Sequence, residues 1–239
     1  METLLRLWRD LPILELAPGR LEKDLSECAV QERWMPATYN RYRALLSAVF
    51  SLGIRNRKMI ANPVRSTKHQ AENNARVRYL TDEEEKRLMD HVGANCPGRE
   101  QEIVVSLNSG MRRSEQYVTP DCPDGGLKWP YIDFRNDVIT IPRSKHGESR
   151  YLPINSTLRE TLKQLRKSAN SPYVSPVDPR DRWFPEVCGK AKIKGLTWHC
   201  LRHTFASRLV MAGVGLLTVQ ELMVHKSIIT TYTLRSPSP

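Results

Sequence analysis

The stretch His199-Cys200-Leu201-Arg202-His203-Thr204-Phe205-Ala206-Ser207 decides how the rest of the chain is read. Leu201, Phe205 and Leu209 recur at i, i+4 and i+8, the core stripe of an amphipathic helix over residues 199–212. His199 and Arg202, at i and i+3, share a different face. Two ionisable groups held together beside a core stripe mark a candidate site. Reading His199 and His203 as metal ligands at i, i+4 would need a Glu between them and a third ligand, and neither is present. No metal is expected.

Working outward, residues 218–231 are predicted to be helical and carry His225, with Tyr232 just beyond. Residues 171–186 hold four Pro and read as a loop, and residues 156–168 as a helix. Further upstream the apolar period changes. Residues 127–134, Val138–Ile141 and Tyr151–Ile154 look like three short strands, the last two closing a β-hairpin around the polar RSKHGESR, with Lys145 at its tip. A helix is predicted over roughly residues 100–118, loosened by Gly110 just before Arg112 and Arg113. Thr81-Asp82-Glu83-Glu84 is a capping box that opens another helix.

Before that lies a helical N-terminal segment. Pro18-Gly19 is read as a turn between short helices, and Thr38 as the cap of a basic helix with Tyr39, Tyr42, Leu46, Val49 and Phe50 on its apolar face. Asn62-Pro63 ends helical structure, and residues 65–78 lack apolar periodicity, which predicts an exposed linker. The fold class is α+β, mainly α: a small helical domain, then a mostly helical one with a small antiparallel sheet.

The 239 residues include 37 Lys plus Arg and 26 Asp plus Glu, a net charge of +11. Residues 41–78 hold 9 basic side chains and 1 acidic, so Arg41, Arg43, Arg55, Arg57 and Lys58 are candidate phosphate contacts. Five scattered Cys form no C-x-x-C pair, which argues against a disulfide framework or a structural zinc. No apolar run approaches the ~20 residues that cross a bilayer, so no membrane is expected as a partner and a cytoplasmic location is.

In order, Arg112, Lys145, His199-x-x-Arg202, His225 and Tyr232 resemble the tyrosine recombinase or phage integrase family. GMRRSE, SKHGESRYLPI, HCLRHTFAS and HKSIITT carry the likeness, with ATYNRYRALLSAVF, ANPV and RVRYLTDEEEKRL upstream. The resemblance implies a core-binding DNA-binding domain over 1–70, N-terminally short, a linker over 71–78 and a catalytic domain over 79–239. It implies that Arg112, Lys145, His199, Arg202 and His225 assist while Tyr232 attacks DNA as the nucleophile, with Glu115 supporting the site. It also implies double-stranded DNA as partner, monomers in solution that assemble into a homotetramer on synapsed DNA, a nucleoid-associated location, and no cofactor. Tyr232 lies seven residues beyond His225, two short of the spacing the resemblance implies, and on a helix two residues is about 200° of rotation. Two readings therefore stay open: an active site-specific recombinase, or an impaired relic that only binds DNA.

Overall fold

Proline opens each of the first two helices, α1 (Pro18–Gln31) and α2 (Pro36–Arg55). At the first helical position proline forfeits no hydrogen bond, because that N–H has no intrahelical partner, and its φ is already helical. Pro18-Gly19 thus starts a helix instead of separating two, and Met35 rather than Thr38 is the N-cap of α2. The short helix expected just before Pro18-Gly19 is only a 3₁₀ turn, Ile13–Glu15. The computed structural model describes residues 7–72, 78–142, 149–175 and 183–223. It divides the chain into two compact units, Met1–Asn74 and Ala75–Pro239.

In the first unit Leu21 and Leu25 of α1 pack with Tyr39, Leu46 and Phe50 of α2 and with Trp8, Leu16 and Val64. Tyr42 stacks on Trp34 with ring centroids 4.2 Å apart. Val49, expected on the buried stripe, is instead half exposed, as are Leu45 and Leu52. Residues 65–72 also depart from the expected exposed linker. Thr67 is buried, and Asn40 Nδ2 donates to the Gln70 carbonyl at 2.8 Å and to Glu72 Oε1 at 2.7 Å. Polar side chains hold this segment on α2, which is why apolar periodicity gave no sign of it.

The second unit opens with α3 (Asp82–Asn95) behind the capping box: Thr81 Oγ1 accepts from the Glu84 N–H and Glu84 Oε2 from the Thr81 N–H. The helix expected over 100–118 is two helices, α4 (Glu100–Ser109) and the short α5 (Arg113–Gln116). Gly110, at φ 60°, ends α4 instead of loosening it. β1 (Ile132–Asp133), β2 (Val138–Ile141) and β3 (Arg150–Pro153) form one antiparallel sheet in the order β1-β2-β3. β1 is shorter than expected because Trp129–Tyr131 is a 3₁₀ turn entered through Pro130. Ile139 pairs with both Ile132 and Leu152, and Ile141 faces Arg150.

The sheet is followed by α6 (Ser156–Lys167), whose N-cap Asn155 accepts from the Leu158 N–H at 2.8 Å. Next come α7 (Trp183–Lys190), α8 (Trp198–Met211) and α9 (Leu216–Met223). The predicted loop over 171–186 gives way to α7 at Trp183, since Pro185 falls in the first turn, where no backbone donor is lost. α4 is apolar on opposite sides and runs between two cores. Ile103 and Leu107 join Leu88, Val92, Phe184, Val187 and Leu201. Val105 joins Ile139, Leu152, Leu158 and Leu162. Among the described residues no helix is long and apolar enough to cross a membrane.

Candidate active site

The C-terminus of α4 builds the site. Left-handed Gly110 turns the chain sharply, buries Met111, and delivers Arg112 as the residue before α5. Glu115, one turn on, accepts from the Arg112 backbone N–H on Oε2 at 2.7 Å and from Arg112 Nη1 on Oε1 at 2.9 Å. The turn is anchored beyond its far end too. Gln116 Nε2 donates to the Glu102 carbonyl at 2.8 Å, and Tyr117 Oη to Glu102 Oε2 at 2.6 Å. Burial and the Glu102 carboxylate push the Tyr117 phenol well above its ordinary pKa, so it stays a proton donor.

Arg202 on α8 is 2% exposed. Its Nη1 donates to the Gly110 carbonyl and its Nη2 to the Met223 carbonyl, tying α8 to the end of α4 and the end of α9. That uses two of the five N–H donors of a guanidinium. The expectation that His199 and Arg202 project side by side is therefore only half right, because His199 is exposed while Arg202 points into the protein. Burial, then Arg112, pulls the Arg202 pKa down to about 9, Glu115 opposing, and the group stays cationic at neutral pH. Although His199 as a whole is exposed, partial desolvation of its ring by the surrounding protein, then the charges of Arg202 and Arg112, lowers its pKa and favours the neutral imidazole that can accept a proton. Arg112, Glu115, His199 and Arg202 thus form one electrostatic group. A cleft of about 1030 Å³ opens beside it, bounded by Arg112, Arg113, Asp121, Asp124 and Tyr131.

Lys145, His225 and Tyr232 lie outside the described residues. In the other unit Arg41, Arg55, Arg57 and Lys58 are exposed on α2 and just after it. Arg43 differs from the expectation of a phosphate contact. Its Nε donates to Thr67 Oγ1 at 2.9 Å and its Nη2 to the Val64 and Thr67 carbonyls at 3.2 and 2.9 Å, so it staples residues 63–67 to α2.

The phage integrase family matches residues 78–235, more than half of the chain and all of this site. The chain belongs to the phage integrase family. Tyrosine recombinase XerA of Pyrococcus furiosus is 32% identical over 165 residues, 64% of this integrase-family chain and 54% of the relative. The chain spans about half the length of the curated relatives it matches. The Tn1549 transposon integrase, solved in complex with a circular intermediate DNA, has the same fold, with a TM-score of 0.80 at 18% identity over 100% of this chain and 88% of that one. A lambda integrase tetramer bound to a Holliday junction gives 0.77 at 19% identity, covering 98% of this chain and 69% of that one.

Two residues of this integrase-family site escaped sequence reasoning. Glu102 carries no local signal, since its partners Gln116 and Tyr117 are 14 and 15 residues away. Arg150 does carry one. In a strand whose burial alternates, Arg150 falls on the same inward face as Leu152, and a charge at a core position demands a partner. The partner is Glu115: Arg150 Nη1 and Nη2 donate to its Oε1 and Oε2 at 2.8 and 2.6 Å.

Gly110→Ala tests the geometry of the turn. A Cβ there would collide with the Phe205 ring, on a backbone at φ 60°. The expected cost is about 2 kcal/mol or more, read as a Tm loss of several degrees in thermal unfolding. An unchanged Tm would mean that α8 can move away from α4 at no cost.

Proposed function

We propose that this chain is a site-specific DNA recombinase that cleaves and rejoins strands through a covalent 3′-phosphotyrosine intermediate. The observation that carries the reading is the convergence of Arg112 and Arg202 beside His199, with Glu115 holding Arg112 in place. A phosphodiester repels anionic nucleophiles, so guanidinium groups aimed at its non-bridging oxygens stabilise the charge that develops in a pentavalent transition state. Tyr232 is the nucleophile: its oxygen forms the bond to phosphorus as the bond to the 5′ oxygen breaks. The phenolic proton passes to His199, assisted by His225, and Lys145 protonates the departing 5′ oxygen. The phosphotyrosine ester keeps the energy of the broken bond, so the reverse attack by a 5′ hydroxyl rejoins DNA without an external energy source.

On this reading residues 1–70 are a core-binding domain, 71–78 a linker and 79–239 the catalytic domain. The substrate is double-stranded DNA, the working assembly is a homotetramer of otherwise monomeric chains on synapsed duplexes, and the protein resides with the nucleoid. The XerA and integrase relatives support this reading. The deciding experiment uses a duplex recovered by selection from a random pool, nicked near the cleavage site so that the released strand diffuses away. A covalent protein–DNA adduct on a denaturing gel is the expected result. Tight binding with no adduct would overturn the strand-transfer reading.

The exposed basic residues give a second expectation. Replacing Arg41, Arg55, Arg57 and Lys58 by Ala should flatten the plot of log K against log salt by about one unit per lost phosphate contact. Arg43→Met should instead lower thermal stability, by about 2 kcal/mol, because the carbonyl and hydroxyl of buried Thr67 lose the donors that Arg43 supplies. An unchanged salt slope in the first variant would mean that this surface does not meet DNA.

A further inference from the structure

Arg150 is an arginine on the buried face of a sheet, 9% exposed, opposite Ile141 and in line with Leu152. Its guanidinium meets Glu115 end-on, one nitrogen to each carboxylate oxygen. Each of those oxygens also accepts a donor from Arg112, Oε1 from the side chain and Oε2 from the backbone. Glu115 is therefore shared between a buried arginine and a half-buried one.

The two halves of this bridge differ in what they can hold. The Arg112–Glu115 pair joins side chains three residues apart, and Arg112 is about one third exposed. Such a pair on its own holds a long side chain weakly against rotamer entropy and solvent. The Arg150–Glu115 pair is nearly buried and two-pronged, and a forked pair of that kind restrains both the position and the orientation of the carboxylate.

We propose that Arg150 is a positioning residue for strand cleavage: it locks Glu115, and Glu115 in turn aims the Arg112 guanidinium at the scissile phosphate. This rests on Arg112 being the transition-state cation of the function proposed above. The charge state of Glu115 follows from the same contacts. Burial alone would raise its carboxyl, yet Arg150 first and Arg112 second hold it at about 2, against an ordinary value of 4.5. The folded value is the lower one, so the network contributes stability that is complete above about pH 4.5 and is lost as the pH falls toward 2. Arg202, which is itself held up by the Glu115 charge, acts in the same sense.

The test has one arm that needs no activity. In the free protein, labelled for arginine side-chain NMR, the Arg112 guanidinium should rotate more slowly in wild type than in Arg150→Met, and the Glu115 carboxyl should titrate at least one pH unit higher in the variant. Arg150→Lys should restore the titration in part but not the slow rotation, because an ammonium cannot fork. In single-turnover adduct formation Arg150→Met and Glu115→Gln should each lose at least tenfold, and the double variant no more than the worse single one, with DNA affinity within twofold. Additive losses, or a folded Arg150→Met variant with unchanged Arg112 rotation, would overturn the proposal. An Arg112→Ala variant that cleaves normally would instead overturn the reading beneath it, whatever the NMR arm gives.

Discussion

Arg112→Ala is expected to lower covalent adduct formation by about 10² or more while duplex affinity stays within a few-fold. The guanidinium acts on charge that appears mainly as phosphorus becomes pentavalent, so its loss falls on the chemical step. Arg113→Ala is the control, because the next residue is turned by about 100° around a helix and is exposed rather than paired to Glu115. Arg202→Ala should behave differently from Arg112→Ala although both remove a proposed catalytic cation. Arg202 is buried, and two backbone carbonyls, those of Gly110 and Met223, depend on it. Stranding a buried acceptor costs about 1–3 kcal/mol, so this variant should lose stability as well as rate. Its kinetic effect must be normalised to the folded fraction measured in the same buffer. A drop confined to DNA binding in Arg112→Ala would move this arginine from transition-state stabilisation to docking.

Where a residue's partner is close in sequence or its pattern repeats, the chain was readable. The Thr81 capping box and the β2–β3 pairing appear where the sequence puts them, because each rests on spacings of two to four residues. The stripe expected on α8 does not, since only Leu201 of Leu201, Phe205 and Leu209 is buried and the buried face also takes in Arg202, Thr204, Ala206 and Ser207. The misreadings share a different cause. Pro18 reads as part of a turn and Pro185 as part of a loop, yet each sits in the first turn of a helix, because proline ends helices from inside and starts them from the first turn, and local composition does not say which. Arg43 reads as a phosphate contact in the sequence, but Thr67, 24 residues away, supplies its acceptors. Arg150 needed a Glu115 that lies 35 residues back. Long-range polar partners leave no periodic trace, and only the alternation of β3 hinted that Arg150 faces inward.

Tyr232→Phe should abolish the covalent adduct entirely and leave the DNA complex intact. The substitution keeps the ring and removes only the attacking oxygen, so no partial activity should survive, unlike the graded loss expected at Arg112. The two-residue shortfall between His225 and Tyr232 makes this the sharper test of the proposed chemistry, since a tyrosine held on the wrong side of a regular helix would not reach the phosphate. A tether argument favours reach. Met223, whose carbonyl accepts from Arg202, marks the edge of the site, and Tyr232 follows nine residues later. Nine residues can span up to about 30 Å when extended, so the chain beyond Met223 is long enough for the hydroxyl to return to the Arg202 end of the site. The adduct formed by wild type should therefore yield, after proteolysis, a DNA-linked peptide containing Tyr232. A linkage mapped to any other residue, or an undiminished adduct in Tyr232→Phe, would overturn the assignment.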